Sequence, residues 1–330
     1  MKRYHVYGIG NALVDMEFEV TPSFLSEMGI EKGLMTLVDE SRQIKLIESM
    51  HGIQHKRSCG GSAANTLIAV AQLGGKSFYS CKVASDEIGD FYVGDLEETG
   101  VATNLKHQRE SGHTGRCMVF ITPDADRTMN TFLGVSANLS REELMPDALK
   151  DSEYLYIEGY LLASPKGREA ARMARDIARE AGVKTSLTFS DPGIATHFRS
   201  EFLDLIAPGL DLLFCNEAEA LAFTKKTDFE GAAQTLKSYA KAFAITRGAR
   251  GAYIFDGTHE IHVVAPKVDP VDTIGAGDIF AGSLLYGITN GYSYGDAARL
   301  ACGAASKLVT QFGARLELDQ IQSLRRDLLK

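Results

Sequence analysis

The stretch "DTIGAGDIFAGSLL", residues 272–285, sets three small residues, Gly275, Ala276 and Gly277, directly before an acidic one, Asp278. An apolar run at helical spacing follows: Ile279, Phe280, Leu284, Leu285 and Ile288. A glycine turn feeding a helix N-terminus is an anion seat, because unpaired backbone N–H groups and the helix dipole point at the same spot. An acid in a first helical turn is ordinary on its own. Ordinary capping does not explain two glycines around Ala276 with Asp272 and Thr273 ahead of them. Together these residues read as a catalytic device, in which amides of 275–278 hold an anion and the Asp278 carboxylate faces a neighbouring hydroxyl. In a loose phosphoryl-transfer transition state the proton leaves late, so a weak carboxylate base that positions the acceptor suffices.

Two other glycine motifs fail. "GGKS" (74–77) ends like a Walker A loop, but its first glycine falls at Val70 and it closes a helix pattern instead of opening one. "GIGNAL" (8–13) begins like a dinucleotide fingerprint, yet Leu13 stands at the third glycine position.

The elements that must carry the device alternate. Strand patterns at "YHVYGIG" (4–10), "SFYSCKVA" (77–84), "EYLYIEGY" (153–160), "VKTSLTF" (183–189), "DLLFCN" (211–216) and "AFAIT" (242–246) are interleaved with helix patterns, and the last 50 residues are almost wholly helical. Such βαβ units imply a mostly parallel sheet covered on both faces, a three-layer αβα domain. Residues 14–38 and 109–134 break the rhythm with polar–apolar alternation and read as strands of a small accessory sheet. The expected organisation is a large α/β domain (1–13, 59–108 and 135–330) and a discontinuous β-sheet lid (14–58 and 109–134), hinged over the C-terminal strand ends where α/β folds bind ligands.

Composition narrows the partners. The 330 residues are 45% hydrophobic and 24% charged with a net charge of −8, which excludes a broad nucleic-acid or anionic-membrane surface but leaves room for a local phosphate site. No apolar run approaches the ~20 residues that span a bilayer. The five cysteines, Cys59, Cys81, Cys117, Cys215 and Cys302, are scattered without a CxxC pair and read as reduced core residues of a cytoplasmic protein. The eight histidines lack metal spacing and "DAD" (124–126) lacks the rest of an EF-hand loop, so no protein-bound metal is expected.

"DTIGAGD" resembles the signature of the ribokinase-like (PfkB) carbohydrate kinase family, and "CGGSAANT" (59–66) resembles that family's N-terminal signature. The likeness runs over essentially the whole chain with the motifs in family order. It implies transfer of the ATP γ-phosphate, with Mg²⁺, to a hydroxymethyl group of a sugar or nucleoside. By this resemblance Asp278 is the base and 275–277 the anion hole. Gly60 and Gly61 let a ligand approach the backbone and Asn65 bonds its hydroxyls, the competing reading being a plain helix start capped by Ser62. Asn11 and Asp15 follow the first strand, and the corresponding family Asp accepts vicinal sugar hydroxyls. Asn216 and Glu219 match an N-x-x-E element that acts on Mg²⁺ through water, although the same pair is nearly a capping box. Thr246, Gly248 and Gly251 resemble a T-x-G-x-x-G nucleotide loop, by composition also a plain turn. Arg127, in the lid insertion, would close over the transferring phosphate. A monovalent cation near 272–275 serves some relatives and is left open here.

Within the family the chain is similar to adenosine kinases and their bacterial relatives, through "GNALVD", "RTMNTFLG" and "YIEGYLLASP" (156–165). Phe132, Met35, Leu37 and Tyr160 suit an apolar slot for a base, or equally lid packing. Ile274 departs from the polar residue common in adenosine kinases, and "SAAN" is as frequent in sugar kinases. The expected acceptor is therefore the 5'-hydroxymethyl of a nucleoside, with a ribose- or fructose-like sugar as the alternative. A catalytically dead binding module would have lost the base or the glycines, all of which are present. Monomer and homodimer both fit.

Overall fold

The computed structural model describes every residue except 1, 34, 51–56, 108, 125, 126, 208 and 330, and of Arg127 the backbone only. The first half of the chain runs β1 (Tyr4–Ile9), β2 (Leu13–Glu19), α1 (Pro22–Glu27), β3 (Met35–Leu37), α2 (Glu40–Ser49), β4 (Arg57–Gly60), α3 (Ser62–Gln72), β5 (Ser77–Ser80), α4 (Glu87–Glu98), β6 (Ala102–Thr103), β7 (Thr114–Ile121), β8 (Arg127–Gly134), α5 (Pro146–Lys150) and β9 (Ser152–Ile157). The second half adds α6 (Pro165–Glu180), β10 (Lys184–Thr188), α7 (Pro192–His197), α8 (Arg199–Ile206), β11 (Leu210–Asn216), α9 (Glu217–Thr224), α10 (Phe229–Leu236), β12 (Ala240–Thr246), β13 (Ala252–Phe255), β14 (Glu260–Val263), α11 (Ala276–Thr289), α12 (Tyr294–Leu308) and α13 (Leu318–Leu328).

Nine strands form the large sheet in the order β14-β13-β12-β11-β10-β9-β1-β5-β6. Pairing is parallel from β12 through β6, and β13 and β14 add antiparallel at one edge. Strands such as β1, β9 and β12 are almost continuously apolar and buried, as a sheet covered on both faces requires. The expected ribokinase-like αβα layering is what forms.

The second sheet has five strands in the order β3-β8-β7-β2-β4. Two features depart from the expectation of strands alone. Helices α1 and α2 lie between its strands, started by Thr21 before Pro22 and by Asp39, whose side chains accept from the Phe24 and Arg42 amides. Strand β4 also pairs with β2, Leu13 opposite Gly60, so Cys59 and Gly60 belong to the small sheet and the chain crosses to the large one at Gly61. Gly61 is left-handed (φ 98°), and a Cβ there would collide with the carbonyl of Asn11, the residue at which β1 crosses the other way. Two passages between the sheets thus lie side by side.

Helices α3 and α11 approach closely because Gly282 has no side chain to strike the Thr66 carbonyl. That contact sets the start of α3 beside the start of α11. The "GGKS" segment is a helix end, with the Gly75 amide bonded to the Val70 carbonyl at 2.9 Å and Gly74 left-handed. All five cysteines are free and buried. No helix among the described residues is long and apolar enough to cross a membrane.

Candidate active site

A cleft of about 300 Å³ opens at the carboxyl ends of β9 to β12. Tyr156, Thr188, Asn216 and Thr246, each at or beside its strand's end, form its floor, and Ser62, Ala276, Gly277 and Asp278 form one wall. This is where open α/β sheets place ligands.

Gly275 caps α11 in the left-handed conformation (φ 73°) without any side-chain hydrogen bond. The Ala276 amide is partly engaged, donating to the Thr273 carbonyl at 3.3 Å. No backbone carbonyl among the described residues accepts from the amides of Gly275, Gly277 or Asp278. Three of the four expected donors therefore point outward with the helix dipole behind them. The turn is braced from behind: Asp272, buried, accepts from the amides of Ile274 (3.0 Å) and Gly313 (2.9 Å).

Half-buried Asp278 is clamped on both oxygens. Ser62 Oγ donates to Oδ1 at 2.6 Å and Asn65 Nδ2 to Oδ2 at 3.1 Å. Burial pushes its carboxyl up to about 6, with the two donors pulling the other way. Gly61 is the cap residue of α3, so Ser62 is not the cap; its hydroxyl is spent on Asp278 in the same wall. Asn65 Oδ1 is buried without a partner.

Below this wall lies Glu158, which the sequence did not single out. It accepts from the Ala63 amide (2.9 Å), the Asn11 amide (3.3 Å) and Asn11 Nδ2 (3.1 Å). Burial pushes its carboxyl up to about 7 against these donors. The signal available was a lone acid closing the apolar strand of "YLYIEGY". Asp15, on β2, faces Gly60 so closely that a Cβ there would strike its carboxylate. Asn11, Asp15, Gly60, Gly61 and Asn65 are therefore gathered around the crossover, although none of them lines the 300 Å³ cleft itself.

Asn216 and Glu219 bear out the capping reading and also face the cleft. They form a complete capping box, Glu219 N to Asn216 Oδ1 at 2.8 Å and Asn216 N to Glu219 Oε2 at 3.1 Å, and both line the cleft. Burial raises the Glu219 carboxyl to about 7, with Asp191 and Asp278 adding to the rise. Thr246 and Gly248 line the cleft at the β12–β13 turn; Gly251 does not, its carbonyl instead accepting from the Arg247 amide at 2.8 Å, and a Cβ on its left-handed backbone (φ 85°) would strike the Val263 carbonyl. Arg127 pairs Ile121 through its backbone in β8, and its side chain lies outside the described residues. Met35 and Leu37 are exposed on the edge strand β3. Among the described side chains, no Lys or Arg lines the cleft.

Outward amides at a helix start, a carboxylate beside them and a second sheet alongside define a ribokinase-like phosphotransferase. Residues 33–321 match the pfkB family carbohydrate kinase, and the chain belongs to that family. It is 28% identical over 254 residues to a ribokinase of Mus musculus, covering 74% of this chain and 76% of the relative. The crystal structure of a probable sugar kinase protein from Rhizobium etli CFN 42 matches it with a TM-score of 0.91 at 36% identity, covering 99% of both chains. The adenosine kinase from Sinorhizobium meliloti matches with a TM-score of 0.90, also at 36% identity, covering 98% of this chain and 99% of that one. The protein is thus a phosphotransferase with an alcohol group as acceptor.

Proposed function

We propose that the protein phosphorylates the 5'-hydroxymethyl of a nucleoside with ATP, Asp278 serving as base. The observation that carries this reading is the Asp278 carboxylate held beside the unengaged amides of Gly277 and its own backbone at the cleft wall. The γ-phosphoryl group sits on the amides of 275, 277 and 278, where the helix dipole favours negative charge. The acceptor hydroxyl attacks phosphorus, the bond to the bridging oxygen of ADP breaks, and the proton passes to Asp278. Ser62 and Asn65 keep the carboxylate aimed, and the free Asn65 Oδ1 accepts from an acceptor hydroxyl. Asn11, its side chain held by Glu158, and Asp15 bind the sugar ring hydroxyls.

The two carboxylates of the cleft, Glu219 and Asp278, fit a divalent ion carried in on the phosphates of ATP. Magnesium keeps most of its waters, and Asn216 and Glu219 offer oxygen donors to hold that shell; when bound it would neutralise charge on the phosphates.

The likeness to the S. meliloti adenosine kinase supports the nucleoside, and the equal identity to the R. etli probable sugar kinase, with the likeness to the Mus musculus ribokinase, keeps a ribose- or fructose-like sugar as the second reading. ATP consumption against a panel of nucleosides and sugars separates them. Asp278→Asn is expected to lower kcat about 10²- to 10⁴-fold with the preferred acceptor. Turnover near the wild-type rate in that variant overturns the mechanism, and turnover with free sugars alone overturns the nucleoside.

A further inference from the structure

Arg315 lies outside the cleft, and its side chain is only 15% exposed. Its Nη1 donates to Asp95 Oδ2 on α4 at 3.0 Å, and its Nη2 to Cys59 Sγ on β4 at 2.7 Å. The Cys59 amide donates to the same Asp95 oxygen at 2.6 Å. Guanidinium and carboxylate thereby bracket the residue that precedes Gly60 and Gly61.

The backbone just before Arg315 serves the opposite side of the reaction. Gly313 N donates to Asp272, and the Ala314 carbonyl stands 2.7 Å from where a Gly275 side chain would begin. One turn earlier, the Val309 carbonyl accepts from the amides of Val271 (2.6 Å) and Asp272 (3.2 Å). Segment 309–315 therefore grips the phosphate turn with its backbone and the acceptor turn with one side chain.

Stability alone is a poor account of this arrangement. A largely buried ion pair is roughly neutral against an apolar replacement, and here the Nε of Arg315 is left buried without a partner. What a planar fork does supply is fixed geometry between the two groups it bridges. We infer that Arg315 is a positioning residue that sets the spacing between the acceptor turn (60–65) and the phosphate turn (275–278), an inference that rests on the site reading above. Correct spacing favours attack by the bound alcohol over attack by water.

The test is the ratio of ATP hydrolysed to water against phosphate transferred to the acceptor, in Arg315→Met and Arg315→Lys. In Arg315→Met transfer is expected to fall about 10- to 100-fold and the ratio to rise about 10-fold, with KM for ATP changed less than about 3-fold. Arg315→Lys recovers part of the coupling, since an ammonium reaches Asp95 but cannot fork to Cys59. Should Arg315→Met fail to fold, Cys59→Ala removes the sulfur contact alone and is expected to move the ratio in the same direction. Transfer and hydrolysis falling together at an unchanged ratio in a folded variant overturns the inference. Asp278→Asn assayed alongside separates the two failures, because retained transfer there sinks the site reading and not the role of Arg315.

Discussion

A carboxylate asked to take a proton is here also asked to accept two hydrogen bonds, and the balance sets its working range. Burial raises the Asp278 carboxyl to about 6, while Ser62 and Asn65 favour the charged form and lower it. In the proposed mechanism the ionised form is the base, so kcat/KM is expected to climb with pH through about 6 and then level. Ser62→Ala removes one stabiliser of that form and moves the limb to higher pH; a limb that stays or moves down contradicts the assignment. For folding, Asp278 and Glu158 act in one direction, because burial raises both carboxyls. The Glu158 carboxyl is raised from 4.5 to about 7, first by burial, so the folded chain holds this proton more tightly than the unfolded one. Its contribution to stability is complete below about pH 4.5 and is lost as pH rises through about 7. Glu158→Gln is expected to flatten the fall of Tm between about pH 5 and about pH 8. It does not abolish that fall, because burial also raises Glu219 to about 7 and Asp278 to about 6. An unchanged slope in thermal melts places the proton elsewhere.

At the scale of elements, the start of α11 separates structural glycine from functional glycine. A Cβ at Gly275 would sit 2.7 Å from the Ala314 carbonyl in a left-handed backbone, whereas a Cβ at Gly277 meets nothing within 4 Å. Gly277→Ala is therefore expected to keep or raise Tm, as alanine does in a helix by up to ~1 kcal/mol, yet to lose activity because the methyl stands where the phosphoryl group must. Gly275→Ala lowers both. Thermal melts and kcat on the two variants check this, and equal behaviour would dissolve the distinction. The same helix start shows what was legible beforehand. Gly275, Ala276, Gly277 and Asp278 are contiguous, so their chemistry is written locally, and the strand–helix alternation fixed the parallel sheet in the same way. Ser62 looked like a cap because its true partner, Asp278, is 216 residues away. Glu158 and Arg315 were silent for that reason too: each acts on groups that only the folded chain brings near. Helix α1 did carry a local signal in Thr21–Pro22, overridden by the apolar alternation on either side.

For the molecule as a whole, the decisive feature is that two of the passages between the sheets lie at the proposed acceptor turn. The β1–β2 and β4–α3 passages carry Asn11 and Gly60–Gly61, so in the proposed function a swing of the small sheet would move the acceptor turn with it. Such a swing would give purpose to Met35 and Leu37, 44% and 60% exposed on the edge strand of that sheet. In the nucleoside reading they are apolar surface held ready for a base and buried only when the lid closes. Because Leu37 is exposed beforehand, Leu37→Ser is expected to leave Tm within what a surface change costs, about 0.5 kcal/mol. Losing the contact on closure should cost on the order of 1.4 kcal/mol, about 10-fold in KM for a nucleoside, with KM for ATP within about 2-fold. A free sugar has no base to lay there, so its KM would not move. Steady-state kinetics with both acceptors reads this directly: a nucleoside KM indifferent to the substitution means that the small sheet does not close over the base, even if the phosphate chemistry at Asp278 is intact.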